Sequence, residues 1–184
     1  LPICLTTITI PSSVTSLGDH CFFDCPGLTT ITIPSSVTSL GNDCFFNCTE
    51  LSKIYFDALT PLRIYSRTFA GWYGKVYTVN YTTYQQATNW SAIADRILLD
   101  DRYTYTYKSL TITADDVIGR ITKARVHWTE VAAYVKDDKS VDVTWSGDDY
   151  SNVFEQNTSK TETVQRTITY TRDGLTATTT ITQG

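Results

Sequence analysis

A phrase of 21 residues occurs twice near the start of this chain, with a spacing of 23 residues. It covers residues 5–25 and again residues 28–48, and the two copies differ at only three positions. A third, degenerate copy begins at Leu51. Repeats of this length stack as successive coils, because a single coil cannot bury its apolar side. The first part of the chain is therefore predicted to be a solenoid.

Each copy contains a short segment typical of a β-strand. In the second copy, Ile31 and Ile33 lie two residues apart and would point to the same side of a strand. Thr30 and Thr32, which alternate with these isoleucines, favour extended backbone because they are β-branched. Pro34 is expected to end the strand, since proline cannot donate to a ladder, and Gly41 is expected to allow a sharp corner of the coil.

Strands from successive coils would pair in parallel and form ladders of equivalent side chains. The inward ladder would contain Ile8, Ile31 and Ile54. The outward positions are the candidate ligand-binding residues Thr7, Thr9, Thr30, Thr32, Lys53 and Tyr55. Solenoids commonly bind partners on such extended faces. Exposed threonine is also simply a good strand former, so the pattern has an explanation without a ligand.

All of the cysteines lie in the repeats: Cys4, Cys21, Cys25, Cys44 and Cys48. Their recurrence follows from the recurrence of the repeat, which favours small buried thiols stacked from coil to coil. The same spacing also permits disulfides or a zinc site, since two C-x-x-x-C pairs offer four sulfurs.

The shared pattern of the copies is L-x-x-I-x-I-P-x-x-V-x-x-L-G-x-x-x-F-x-x-C. It closely resembles the BspA-like leucine-rich-repeat family, and we extend this resemblance over residues 1–99. The resemblance implies a right-handed solenoid and a non-enzymatic surface or secreted bacterial protein, since several members resemble adhesins. One departure is that Cys4 lies two residues after the position that the repeat register gives it, so the first coil is expected to be cut or distorted.

A cap is predicted at about residues 73–100, which would close a solenoid domain of residues 1–100. Residues 76–79 read as a further strand, and Thr82 or Thr83 would cap a short helix. The pattern Y-x-x-A-x-x-W-x-x-I that contains Trp90 resembles the ending of many bacterial members. A solenoid needs such a lid, because its last coil would otherwise expose an apolar end and an unpaired strand edge.

The repeat period is lost after residue 100, and residues 101–184 are predicted to form an immunoglobulin-like β-sandwich. Short alternating runs are separated by turn signals at residues 137–138, 146–148 and 173–174. The segment V-x-V-x-W-S that ends at residue 146 resembles a strand of bacterial Ig-like domains, and the C-terminal strand resembles that of BACON modules. Trp128 and Trp145 are expected in the core.

The composition argues against several functions. A formal charge of -4 and a pI near 5.0 argue against nucleic acid as a partner. No apolar run is long enough to cross a membrane, so no membrane insertion of this fragment is expected.

His20 and His127 lack partners at a spacing typical of nucleophilic catalysis. The aspartate doublets, including residues 100–101, read as solvated turns rather than calcium loops. We therefore predict no catalytic residue, no metal and no cofactor.

The resulting hypothesis is a non-enzymatic protein at the bacterial cell surface or outside the cell, anchored in the outer membrane or secreted. Its solenoid would mediate adhesion to a host or bacterial surface protein, a glycan or other cells. The chain begins within a repeat and without methionine, so it is expected to be a fragment. The alternative is an accessory glycan-binding module of a larger polysaccharide-processing protein, with candidate aromatic residues Tyr55, Tyr73, Tyr77 and Tyr81.

Overall fold

The computed structural model describes residues 6–118, 120–159 and 162–184. The chain divides into two compact units, Leu1–Arg102 and Tyr103–Gly184. The protein is mainly β, as predicted. The described strands are β1 Ser16–Leu17, β2 Thr30–Ile33, β3 Ser39–Leu40, β4 Lys53–Phe56, β5 Lys75–Thr78, β6 Ile97–Leu99, β7 Tyr105–Ala114, β8 Val126–Lys136, β9 Lys139–Asp149, β10 Val164–Arg172 and β11 Leu175–Gln183. The α-helix α1 is Tyr81–Gln86, and a 3-10 helix covers Trp90–Arg96.

A four-stranded parallel sheet in the order β2-β4-β5-β6 organises the first unit. Its register pairs Ile31 with Ile54, Ile54 with Val76, and Val76 with Ile97. All four side chains are buried, because they occupy the inward position of successive coils. The predicted parallel pairing of Ile31 with Ile54 is confirmed. Ile8 packs half-buried against the same core, although residues 6–10 form no strand.

Phenylalanine rings form a second ladder through the core. Phe22 stacks on Phe45 with ring centroids 5.6 Å apart, and Phe45 stacks on Phe69 at 6.0 Å. All three side chains are buried. The repeat period therefore places equivalent rings face to face, and each ring covers the next from water.

Gly41 has a different role from the one that the sequence predicts. Its φ is not positive, and a β-carbon at this position would lie 2.3 Å from the backbone nitrogen of Asp19. The glycine therefore lets two coils approach each other. Positive φ values occur instead at the polar corner residues His20, Asp24, Asp43 and Asn47. Two of the three differences between the copies fall at these corner positions.

The segment after β5 contributes buried side chains to the core. Trp90 is 1% exposed, and its indole nitrogen donates to the Leu62 carbonyl at 2.9 Å. Helix α1 begins one residue after Asn80, so the prediction that Thr82 or Thr83 caps it is wrong. The side-chain amide of Asn80 donates to the Leu59 carbonyl at 2.9 Å, which attaches the helix start to the preceding coil.

The second unit contains an antiparallel sheet in the order β7-β8-β9 and an antiparallel hairpin of β10 and β11. Two-residue turns at 137–138 and 173–174 join the hairpin strands, and all four turn residues have positive φ. Such φ values are those of type I′ turns, which match the twist of the strands. These two predicted turns are confirmed, and Trp128 and Trp145 are buried as predicted.

The turn predicted at residues 146–148 is wrong, because β9 continues through it to Asp149. Gly147 lies opposite Trp128 in the β8–β9 register. A β-carbon on Gly147 would lie 2.7 Å from Cζ2 of the Trp128 ring. The glycine makes room for an indole ring, which a local turn signal does not reveal.

Among the described residues, no helix has the length and apolar character needed to span a membrane.

Candidate binding face on the parallel sheet

The predicted ligand-binding residues lie on one face of the first unit and fall into two groups. Thr30 and Thr32 belong to β2, and in register they pair with Lys53 and Tyr55 of β4. Thr7 and Thr9 lie exposed in the segment before β1. The alternation of inward isoleucine with outward polar residues places these side chains away from the core.

The four threonines line a single open cleft. Thr7, Thr9, Thr30 and Thr32 share this cleft with Ile8, Ile10, Pro34 and Asp57. The lining therefore offers hydroxyl groups, methyl groups and one carboxylate. We call this group the threonine cleft. It is the part of the predicted face that remains open to a ligand.

Lys53 and Tyr55 are engaged by the chain's own Asp101. The Lys53 ammonium donates to Asp101 Oδ2 at 2.6 Å, and the Tyr55 hydroxyl donates to Asp101 Oδ1 at 2.7 Å. The Arg102 guanidinium lies 4.4 Å from the centre of the Tyr55 ring, and Tyr55 is 7% exposed. The structure thus separates these two residues from the open threonine cleft.

The electrostatics keep this contact charged. The hydrogen bond from Lys53 lowers the pKa of Asp101 below its ordinary value, and the same hydrogen bond raises the pKa of Lys53. Burial, followed by the hydrogen bond to Asp101, raises the pKa of Tyr55. At neutral pH the contact is therefore an ion pair with a neutral tyrosine beside it.

Arg102 anchors the same turn from its other side. Its guanidinium donates to Asp100 Oδ2 at 2.6 Å and to Asp57 Oδ1 at 2.7 Å. Asp100 is 1% exposed, so the prediction of a solvated turn is wrong for this residue. Sequence reasoning missed Asp57 and Arg102, because these two partners lie 45 residues apart in the chain. The Asp100–Asp101 doublet is the one signal in the sequence for this contact, but such doublets are typical of solvated turns.

The cysteine ladder is buried in the second copy only. Cys44 and Cys48 are buried, Cys25 is half-buried and Cys21 is exposed, and all four are free thiols. Burial raises the pKa of Cys44 to about 12. The first copy differs because no preceding coil covers it within the described residues. Cys4 lies outside them.

Metal ligation has no support in the part of the chain that the structure describes. There, no three His, Cys, Asp or Glu side chains are arranged to hold a metal ion.

Of the four candidate aromatic residues, Tyr73 alone presents an open ring. Tyr55 is buried, and Tyr77 packs on it with ring centroids 5.2 Å apart. Tyr81 is half-buried against the core, whereas Tyr73 is 85% exposed. The preceding Trp72 is fixed, because its indole donates to the Leu51 carbonyl at 2.7 Å. Tyr73 thus projects from a rigid point of the backbone.

Comparison with known families supports the repeat part of the sequence-based assignment. Residues 3–92 match the family model described as BspA type leucine rich repeat region (6 copies). Proteins of this type are generally associated with the cell surface. The match ends before the second unit, so the resemblance of that unit to Ig-like and BACON domains stays a prediction. No curated protein matches the sequence.

Proposed function

We propose that this chain is part of a non-enzymatic bacterial surface or secreted protein whose threonine cleft mediates adhesion. The observation that carries this proposal is the convergence of Thr7, Thr9, Thr30 and Thr32 on one open cleft. The match to a surface-associated repeat family supports a location at the cell surface. Hydroxyl and methyl groups side by side suit both hydrogen bonds and apolar contacts with a surface protein or glycan.

We also propose the architecture that presents this cleft, a right-handed leucine-rich-repeat solenoid of residues 1–100 with its cap at about 73–100. Hydrogen bonds between equivalent coil positions support it, such as the Thr38 amide to the Thr15 carbonyl at 2.8 Å and the Ser52 amide to the Thr29 carbonyl at 3.0 Å. For residues 101–184 we propose an Ig-like sandwich. Its support is the two antiparallel sheets and the parallel bridge between Val117 and Gln183.

Binding to an array of host matrix proteins, bacterial surface proteins and glycans tests the adhesive function. We expect the double variant Thr30→Arg and Thr32→Arg to lose binding to the ligand that the unaltered chain selects, because two long cations would fill the cleft. Thr178→Arg is the matched control, since Thr178 is an exposed strand threonine in the second unit. Binding that survives the double variant would exclude the threonine cleft as the adhesive site.

A second candidate function is glycan binding at Tyr73, favoured by the 85% exposure of this residue. A tyrosine ring on a rigid support offers an apolar face and a polar tip at low entropic cost. Affinity electrophoresis in gels that contain polysaccharides tests this function. Tyr73→Ala should abolish any retardation, whereas the exposed Tyr150→Ala should leave it unchanged. Equal effects of both variants would contradict a site at Tyr73.

A further inference from the structure

The Lys53–Tyr55 pair has the geometry of a carboxylate-binding site. Each oxygen of the Asp101 carboxylate receives one donor, the ammonium on Oδ2 and the hydroxyl on Oδ1. Charge-assisted hydrogen bonds of this kind are the stronger ones in proteins. The pair is built on one strand, because Lys53 and Tyr55 lie two residues apart on β4 and share its outward side.

A second cation lies beside this pair. Lys75 of β5 is the direct neighbour of Lys53 in the parallel register. Lys75 is exposed and takes part in no ion pair among the residues that the structure describes. Adjacent strands of a sheet lie about 4.8 Å apart, so the side chains of Lys53 and Lys75 start from neighbouring backbone positions on the same side of the sheet. Asp101 pairs with Lys53, and Arg102 pairs with Asp57 and Asp100, so Lys75 is the cation at this face that has no ion-pair partner among the described residues.

The ion pair of Asp101 is open to water, and it is not the only contact that holds the turn. The side chains of Lys53 and Asp101 are 39% and 43% exposed, so water reaches the ion pair. The turn has a separate anchor in Arg102, which binds Asp57 and the buried Asp100. An exposed ion pair contributes little to stability, so an external carboxylate can compete with it.

We propose that Lys53, Tyr55 and Lys75 form a binding site for the aspartate and glutamate side chains of an acidic peptide segment in a partner protein. In the free chain, Asp101 is then an internal ligand that binds Lys53 and Tyr55 and leaves Lys75 open. The internal ligand is itself an aspartate on a peptide turn, which is why the site suits a peptide. This inference rests on the proposed adhesive function and specifies that the partner protein carries a negatively charged segment.

Fluorescence anisotropy with a labelled peptide of six aspartates, added to the full chain at low ionic strength, tests the site. Lys53→Ala and Lys75→Ala should each weaken binding. Asp101→Ala should strengthen binding by about two- to fivefold, which is what removal of an exposed ion-pair competitor yields. The gain should disappear in the double variant Asp101→Ala and Lys53→Ala. Added salt should weaken all binding.

The matched controls lie in the second unit. Asp142 forms an exposed ion pair with Lys108, so Asp142→Ala removes a comparable aspartate. Lys139→Ala removes a comparable exposed lysine. Neither change should alter the affinity. Equal effects of the control and site variants, or unchanged affinity in Asp101→Ala, would overturn the inference. Such a result would leave adhesion through the threonine cleft unaffected, because the Thr30 and Thr32 variants test that cleft separately.

Discussion

At the scale of single residues, Glu130 is the one acidic or basic side chain that is buried among the described residues of the second unit. It lies on β8 with no exposed surface, and its Oε2 accepts a hydrogen bond from Arg172 Nε at 3.1 Å. Its Oε1 has no hydrogen-bond partner among the described residues. Burial raises the pKa of Glu130 and outweighs the opposing effect of Arg172. The Arg172 guanidinium in turn lies 3.9 Å from the centre of the Trp128 ring.

This burial predicts a pH dependence of stability. Because the pKa of Glu130 is higher in the folded chain than in the unfolded chain, the folded chain binds more protons. Its free energy of unfolding therefore falls as the pH rises above 4.5, the ordinary value, and through the raised pKa. Each unit by which the pKa of Glu130 differs between the folded and unfolded chains changes the free energy of unfolding by about 1.4 kcal/mol. Glu130→Gln should remove this dependence in urea titrations at several pH values.

The exposed Glu155→Gln is the control for that experiment and should keep the pH dependence of the unaltered chain. A Glu130→Gln variant with the same pH profile as the unaltered chain would show that Glu130 is not the group responsible.

Thiol exposure predicts an order of chemical labelling. The thiolate is the reactive form, so the buried Cys44, whose pKa is raised to about 12, should react slowest. The exposed Cys21 should react first, and Cys25 should fall between them. Iodoacetamide labelling followed by mass spectrometry measures the rates in a Cys4→Ser background. Labelling of Cys44 as fast as Cys21 in the native chain would contradict this burial.

At the scale of elements, equivalent positions of the two copies differ in what surrounds them. Gly18 and Gly41 occupy the same position of the repeat. A β-carbon on Gly18 would meet no atom within 4 Å, whereas one on Gly41 would meet the backbone of the preceding coil. The difference arises because the second coil has a neighbour against this side and the first has none among the described residues.

These two glycines therefore form a matched pair of variants. Gly41→Ala should lower the free energy of unfolding by about 1–3 kcal/mol, because the backbone must shift to relieve the overlap. Gly18→Ala should change it by less than about 0.5 kcal/mol, as expected for an open surface site. Urea denaturation of both variants provides the measurement. Equal losses would show that the coils do not approach each other as closely as described.

At the scale of the whole molecule, each unit has its own aromatic core. Trp72 and Trp90 are buried in the first unit, and Trp128 and Trp145 are buried in the second. Each unit is also large enough to bury a core of its own. We therefore expect the two units to unfold independently.

Trp90→Ala tests this independence. Removing a fully buried indole should destabilise the first unit by about 3–5 kcal/mol. Hydrogen exchange followed by mass spectrometry should show lost protection in residues 6–102 and unchanged protection in residues 103–184. Loss of protection in both units would show that they unfold as one.

Much of the fold follows from patterns that are local or periodic. Ile31 and Ile54 recur at the repeat spacing, so their pairing was predictable before any contact was known. Asp173 and Gly174 stand between two alternating runs and form the expected hairpin turn. Gly147 resembles a turn residue just as closely, yet it lies inside β9 because a distant indole ring needs the space. Local patterns do not record such distant neighbours.

For the candidate face, the sequence alone determined which side chains point outward, because a strand alternates its two sides and the repeat period keeps the strands in register. Only the tertiary structure decided which of them stay open. Asp101 reaches Lys53 and Tyr55 across 48 and 46 residues of sequence and covers them, whereas the four threonines remain accessible. The physical reason is that long-range ion pairs depend on where the chain returns in space, and no repeat pattern encodes that return.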